Sequence, residues 1–346
     1  MSMSTAAMSS SDYRYEHGVR TPLIVDTDII GLNDDAFALH YLLASGVVPA
    51  AVTTSTGNSY ASRSALDARD LLSLYAGASE VTVLCGADSP SSWTPDVCSM
   101  HRIARSKLAD RQYFGQLGER GAVACTTEPS EGAAHTTDAS EAVKAGRFVI
   151  PPFDYLALGP LSNLSDALSK GELTSHDIRR IVFSGGAFEA PGNVGALAEF
   201  NVFADPRAAS SVFNSGIRDI IVVPLDVTSR ATYGIAEFSA ISRSGSHFGK
   251  LLTAVKHEDF GRDAGYREPM WDLVAAVVYL RPEVIRRADN AFVTVEQEPS
   301  PWFGATFTST ALHETQSEAS VTIVKEIDAH LLGQLFVRAF GQESLT

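Results

Sequence analysis

The sequence predicts an α/β fold: a single domain with a mostly parallel central sheet flanked by helices, and a small β-hairpin addition near the C-terminus. Three observations carry this expectation. Short apolar runs of strand length alternate with longer segments of helical apolar spacing, the rhythm of right-handed strand–helix–strand crossovers. Several runs open into Gly-, Asn- or Ser-containing loops, at the sheet edge where α/β folds bind ligands. No linker rich in Pro, Gly or charge divides the 346 residues into two folding units.

The first run, Leu23-Ile24-Val25, reads as a buried strand, and Ala36, Leu39, Leu42 and Leu43 recur at helical spacing until Gly46 stops the helix. Between them lie Asp26, Asp28, Asp34 and Asp35. Carboxylates this close repel one another unless a cation sits among them. Oxygen-only ligands select a hard ion, Ca²⁺ or Mg²⁺ ahead of zinc. The plainer account makes Asp26 structural, Asp34 or Asp35 a helix cap and Asp28 a solvated side chain.

Residues 50–56 form the second expected strand, running into Gly57-Asn58; a helix over 61–75 and a strand over 81–84 follow. Residues 88–132 lose the rhythm and, with Pro90, Trp93 and Pro95, read as a long insertion with short helices, either a cover over a site or a decorative addition. Regularity returns with a helix over 139–145 and a strand over 155–158 that leads into Gly159-Pro160-Leu161-Ser162-Asn163 and a helix to about Lys170. The strand 181–183 opens into Ser184-Gly185-Gly186 and the loop 187–203. Asp205-Pro206 is an N-cap and first-turn pair. A strand over 220–223 ends at Pro224, and Trp271-Asp272 precedes an apolar helix over 273–280. Residues 292–324 alternate like a β-hairpin or edge strands, and 327–340 close the chain as an amphipathic helix.

A net charge of -14 leaves no basic surplus for a nucleic-acid backbone, so the expected partner is a small molecule. Cys85, Cys98 and Cys125 share no disulfide or metal spacing, which suits a reducing compartment, the cytoplasm. Residues 1–20 read as a disordered tail before a catalytic domain at 21–346; the start is small and polar, unlike a signal peptide, and no apolar run has bilayer length. The nine histidines lack metal-ligand spacing, and nothing selects one of His101, His247 or His257 for the pocket.

With these pieces placed, the chain resembles the nucleoside hydrolases, the inosine-uridine-preferring family of calcium-dependent N-ribohydrolases. The likeness runs from about Leu23 to Phe340 and is weakest at 88–132. It rests on Val25-Asp26-Thr27-Asp28 with Asp34-Asp35-Ala36, Thr53-Thr54 with Gly57-Asn58, Ala157 through Asn163, Ser184-Gly185-Gly186-Ala187-Phe188 through Pro191-Gly192-Asn193 to Ala198-Glu199-Phe200-Asn201, and Trp271-Asp272. The resemblance implies hydrolysis of ribonucleosides to base and ribose by a Ca²⁺-activated water, by a homodimer or homotetramer. Asp28, Asp35 and Asp272 would be carboxylate ligands of the ion, and the Leu158 backbone carbonyl a further one. Asp28 would also act as the base and Asp34 bind a ribose hydroxyl, with the division of catalytic labour between the two left open. Asn58, Asn193, Glu199 and Asn201 would hold the sugar, Asn193 and Glu199 toward its 5′ end.

The departures are informative. Two more residues than the commonest family spacing separate Asp28 from Asp34, and Ser184 stands at the pocket wall where the family often has methionine. Trp271 stands where many members have histidine; an indole N–H is a poor proton donor, and this tryptophan resembles the purine-preferring branch, in which aromatic rings stack on the base. Trp93 is a candidate second face; the plainer account makes Trp271 a packed core residue and Trp93 a surface aromatic. The reading therefore leans mildly to purine nucleosides. The alternatives are a ribose-binding homologue without catalysis and a hydrolase of a modified nucleoside or other glycoside. A haloacid-dehalogenase phosphatase, suggested by Asp26-Thr27-Asp28, lacks its lysine and second acidic motif in the segments where they would fall.

Overall fold

The computed structural model describes residues 21–88, 152–194, 196–263, 265–309 and 321–341. The expected tail 1–20, nearly all of the insertion, the helix over 139–145, Trp93, His101 and the other two cysteines besides Cys85 lie outside the described residues.

The chain begins with β1 (Leu23–Thr27), α1 (Asp34–Ala44), β2 (Ala51–Thr54), α2 (Ala61–Ser73) and β3 (Thr82–Cys85). It continues with β4 (Phe153–Ala157), α3 (Ser162–Ser169), β5 (Ile178–Ser184), the short α4 (Phe200–Ala204), α5 (Pro206–Phe213) and β6 (Ile220–Val223). Then come α6 (Leu225–Thr228), β7 (Thr232–Tyr233), α7 (Ile235–Ser244), α8 (His247–Arg262), β8 (Glu268–Pro269) and α9 (Asp272–Leu280). A 3₁₀ turn (Pro282–Val284), β9 (Ile285–Val295), β10 (Thr306–Ser309), β11 (Val321–Ile327) and α10 (Ala329–Gly341) complete it.

Among the described residues, nine strands form one sheet in the order β10-β9-β11-β6-β5-β4-β1-β2-β3, and every pairing from β3 across to β11 is parallel. The strand order reverses at β1, whose neighbours are β2 on one side and β4 on the other. Loops leaving adjacent strands at such a reversal diverge and open a crevice. Buried on both faces, the parallel strands read as continuous apolar runs. Leu23 and Val25 of β1 enter one core layer with α1, α8, α9 and α10, while Ile24 enters the other with α3 and α5.

The C-terminal expectation holds in part: β9 and β10 form an antiparallel hairpin at the sheet edge. β11 is an interior strand, parallel to β6 and antiparallel to β9. Half-buried Thr322 between buried Val321 and Ile323 supplies the alternation that made it read as an edge. His40 of α1 is a core residue. Its Nε2–H donates to the Ala339 carbonyl (3.2 Å), its Nδ1 accepts from the Tyr75 hydroxyl, and its ring stacks on Phe248 at 3.8 Å. Burial pushes its pKa down to about 3. His247 and His257 are exposed.

Candidate active site

β1 carries Asp26 and Thr27 to its end and releases Asp28 at the reversal. The loop that follows turns at Gly31, whose φ is +56°, and ends at Asn33. Asn33, and neither Asp34 nor Asp35, caps α1: its Oδ1 accepts from the Ala36 N–H (3.3 Å) while its Nδ2 donates to Asp35 Oδ2 (2.8 Å). One amide side chain therefore starts the helix and orients a carboxylate. The Thr27 hydroxyl (2.5 Å) and the Asp28 N–H (3.2 Å) donate to Asp35 Oδ1, and the Asn58 amide reaches Oδ2 at 3.5 Å.

Asp28 is fully buried. Its Oδ2 accepts from the Asn58 N–H, while its Oδ1 has no hydrogen-bond partner among the described residues. Two glycines make this approach possible. A Cβ on Gly57 would lie 2.0 Å from Asp28 Oδ2, and one on Gly159 would lie 2.6 Å from Ser55 Oγ and 3.1 Å from Asp28 Oδ1.

The distant fourth acid arrives with α9. Asp34, Asp35 and Asp272 each offer a carboxylate oxygen within 4.8 Å of the others. The tightest trio thus contains Asp34, expected at the sugar, while Asp28 adjoins it through Asp35. Trp271, half-buried immediately before Asp272, is the only non-glycine with positive φ (+31°) among the described residues. Its carbonyl accepts from the Val274 N–H at 3.0 Å, so a strained backbone fixes the start of α9 and with it Asp272. Ser184, the last residue of β5, has its hydroxyl near enough to Asp272 to lower that acid's pKa against the larger effect of burial.

The electrostatics follow from burial first and from crowding of like charges second. Burial, then the Asp35 charge, pushes the Asp28 carboxyl well above the usual range; burial, then Asp34, does the same to Asp272. Burial and Asp35 raise Asp34 to about 7, and burial raises Asp35. Acids in this state hold protons until a cation replaces them. An unpartnered buried oxygen on Asp28 and an oxygen-only donor set fit a hard divalent cation.

Other candidates serve partly as frame. Asn201 donates through Nδ2 to the carbonyls of Leu158 (2.6 Å) and Ser184 (2.9 Å), joining the ends of β4 and β5. Glu199 caps α4, accepting from the N–H groups of Gly186 (3.0 Å), Asn201 (2.9 Å) and Val202 (3.2 Å). Asn193 is exposed, just before the Val194–Ala198 bridge. Asp26 is structural: the Tyr155 hydroxyl (2.7 Å) and Asn163 Nδ2 (2.9 Å) hold it, and burial raises its pKa to about 6.

Sequence reasoning missed Lys256 and Glu268. Lys256 is buried on α8, with its Nζ 2.5 Å from Glu268 Oε1, and Tyr266 donates its hydroxyl to Glu268. Glu268 raises the pKa of Asp34 and Lys256 lowers it, so the pair lies within electrostatic reach of the acids. The available signal was a lysine at helical spacing between Leu252 and Phe260, where an apolar residue belongs.

Comparison with known proteins gives the family and the fold. The family model for inosine-uridine preferring nucleoside hydrolases matches residues 23–333. A pyrimidine-specific ribonucleoside hydrolase of Shewanella oneidensis is 30% identical over 294 residues, 82% of this chain and 85% of that protein. The solved structure of a plant nucleoside hydrolase superposes with a TM-score of 0.71 at 23% identity, covering 92% of this chain and 98% of the other. A purine-preferring ribonucleoside hydrolase from Gardnerella vaginalis gives 0.70 at 21% identity, covering 92% and 98%. At these identities the two structures speak for the fold, and the sequence matches speak for the family. The chain therefore belongs to the inosine-uridine preferring nucleoside hydrolase family and is an N-ribohydrolase.

Proposed function

We propose that this enzyme hydrolyses the N-glycosidic bond of ribonucleosides with Ca²⁺ as its cation, and that it leans mildly to purine nucleosides. The observation that carries the reading is the meeting of Asp34, Asp35 and Asp272 beside the unpartnered oxygen of Asp28. Asp28, Asp35, Asp272 and the Leu158 carbonyl would hold the ion, with Asp34 facing the ribose diol from the same cluster. When bound, such a cation supplies the charge that acidifies a water and holds the sugar hydroxyls in register.

The protein's own residues do the rest. Asp28 Oδ1, without a competing donor, takes the proton from the attacking water. As the C–N bond breaks, positive charge grows on the sugar, and the surrounding carboxylates stabilise it. Asn58, Asn193, Glu199 and Asn201 hold the ribose; for Glu199 and Asn201 this use is added to their framing bonds. Trp271 stacks on the departing base from its place beside Asp272. Its indole does not protonate the base, so a base that leaves well unaided is favoured. Ser184 shapes the wall beside Asp272. A cytoplasmic homodimer or homotetramer is the setting that the family resemblance and the absence of disulfide spacing support.

The test is a base-release assay across purine and pyrimidine nucleosides, with chelator, with Ca²⁺ restored, and with Asp28→Ala. Chelation is expected to abolish turnover and Ca²⁺ to restore it. Asp28→Ala should cost about 10²- to 10⁴-fold in kcat, the scale of general-base help. Turnover that survives both treatments would contradict the reading.

A further inference from the structure

The lengthened loop between Asp28 and Asp34 poses a physical problem. Extra residues add conformational freedom to a segment that must hold two of the clustered acids in fixed positions. Ile29 is wholly buried, and its N–H donates to Thr27 Oγ1 (3.2 Å), which fixes the near end of the loop. Asn33 fixes the far end. The middle is tied to another element. The Gly31 N–H donates to Asp67 Oδ2 at 3.1 Å, across 36 positions of sequence. Asp67 is a mostly buried residue of α2, gripped from one turn earlier by Arg63, with Nη2 2.8 Å from Oδ1 and Nε 3.2 Å from Oδ2.

A pair spaced i, i+4 on a helix ordinarily adds little beyond helix stability. This one differs because the same carboxylate also accepts from a loop amide, a charge-assisted bond, at the one loop residue with positive φ. The geometry points to Asp67, braced by Arg63, as the positioning residue that seats the lengthened loop and so sets where Asp34 and Asp35 meet the cation and the sugar. The inference rests on the site reading above. Asp67 touches no substrate; it acts through Gly31, and the asparagine cap carries the constraint into Asp34 and Asp35.

Asp67→Ala and Asp67→Asn separate positioning from helix stability, because asparagine keeps an acceptor for the Gly31 amide. Hydrogen exchange over residues 29–33, Ca²⁺ titration by calorimetry, and KM and kcat for a nucleoside are measured on the full chain. Asp67→Ala is expected to speed exchange at residue 31 about tenfold and to weaken Ca²⁺ binding and raise KM by about the same factor. Its thermal midpoint should stay within a few degrees of the wild type. Asp67→Asn is expected within about threefold of the wild type in all three readouts. Unchanged exchange in Asp67→Ala would overturn the proposal, as would faster exchange with unchanged Ca²⁺ binding and KM. Exchange and calorimetry need no turnover, so an enzyme inactive on every nucleoside would count against the functional reading while these two arms still decide the positioning role.

Discussion

Ser184 shows how much a single side chain can change its meaning between sequence and structure. As a departure from the family's usual methionine it reads as a pocket wall; in the fold its carbonyl accepts from Asn201 Nδ2 at 2.9 Å, and its hydroxyl lies near enough to lower the pKa of Asp272, the one acid that comes from the far end of the chain. Groups that orient a ligand's carboxylate typically matter to metal affinity by ten- to a hundredfold. Ser184→Ala is therefore expected to weaken cation binding about tenfold at the low end of that range. The half-saturating Ca²⁺ concentration for base release measures it, and an unchanged value would return Ser184 to a wall. The meeting of Asp28 and Asp272 around Asp35 was legible because each sits in a short block at a strand end or helix start. The backbone of Trp271 was not, since its positive φ is imposed by tertiary packing and leaves no mark in composition. Glu268 was equally hidden: it reaches Asp34 only because Lys256 and Tyr266 fold back onto it.

Among the elements, those with a clean apolar period were readable and those with a polar intrusion were not. β6 coincides with its expected run, and Asp205 caps α5 through the Ala208 N–H at 3.0 Å, as the Asp-Pro pair predicts. α8 escaped because Lys256 interrupts the stripe of Phe248, Leu252 and Phe260 along its buried face. In α1 the plain polar residue His40 proves to be a core contact to α10. Its protonation has a stability consequence with a definite sign. The unfolded chain takes up a proton near the ordinary value of 6.5, while the folded chain refuses it until about pH 3. Its contribution is complete above about 6.5 and is lost progressively as pH falls from there toward about 3. The raised site acids pull in the opposite direction, so the comparison is with His40→Gln under saturating Ca²⁺. Urea unfolding at pH 7 and pH 5 should show a larger loss in the wild type than in the variant, and equal losses would contradict a neutral buried imidazole.

At the scale of the whole molecule, the sheet's reversal at β1 explains why residues so far apart in sequence act together. The loops after β1 and β4 open on one edge, β5 ends beside them, and α9 starts against Asp34 and Asp35. The parallel core was legible from its alternation of strands and helices. The place of β11 inside the sheet was not, because pairing partners are chosen over distances that periodicity does not record. The same long reach brings Asp272 to the first loop, and a cation shared there is the account's central claim. Calorimetric titration of chelator-stripped protein with Ca²⁺, for the wild type and Asp272→Ala, measures it directly. One site per chain in the wild type, weakened at least about a hundredfold in the variant, is the predicted result. No binding, or equal binding by both proteins, would contradict it.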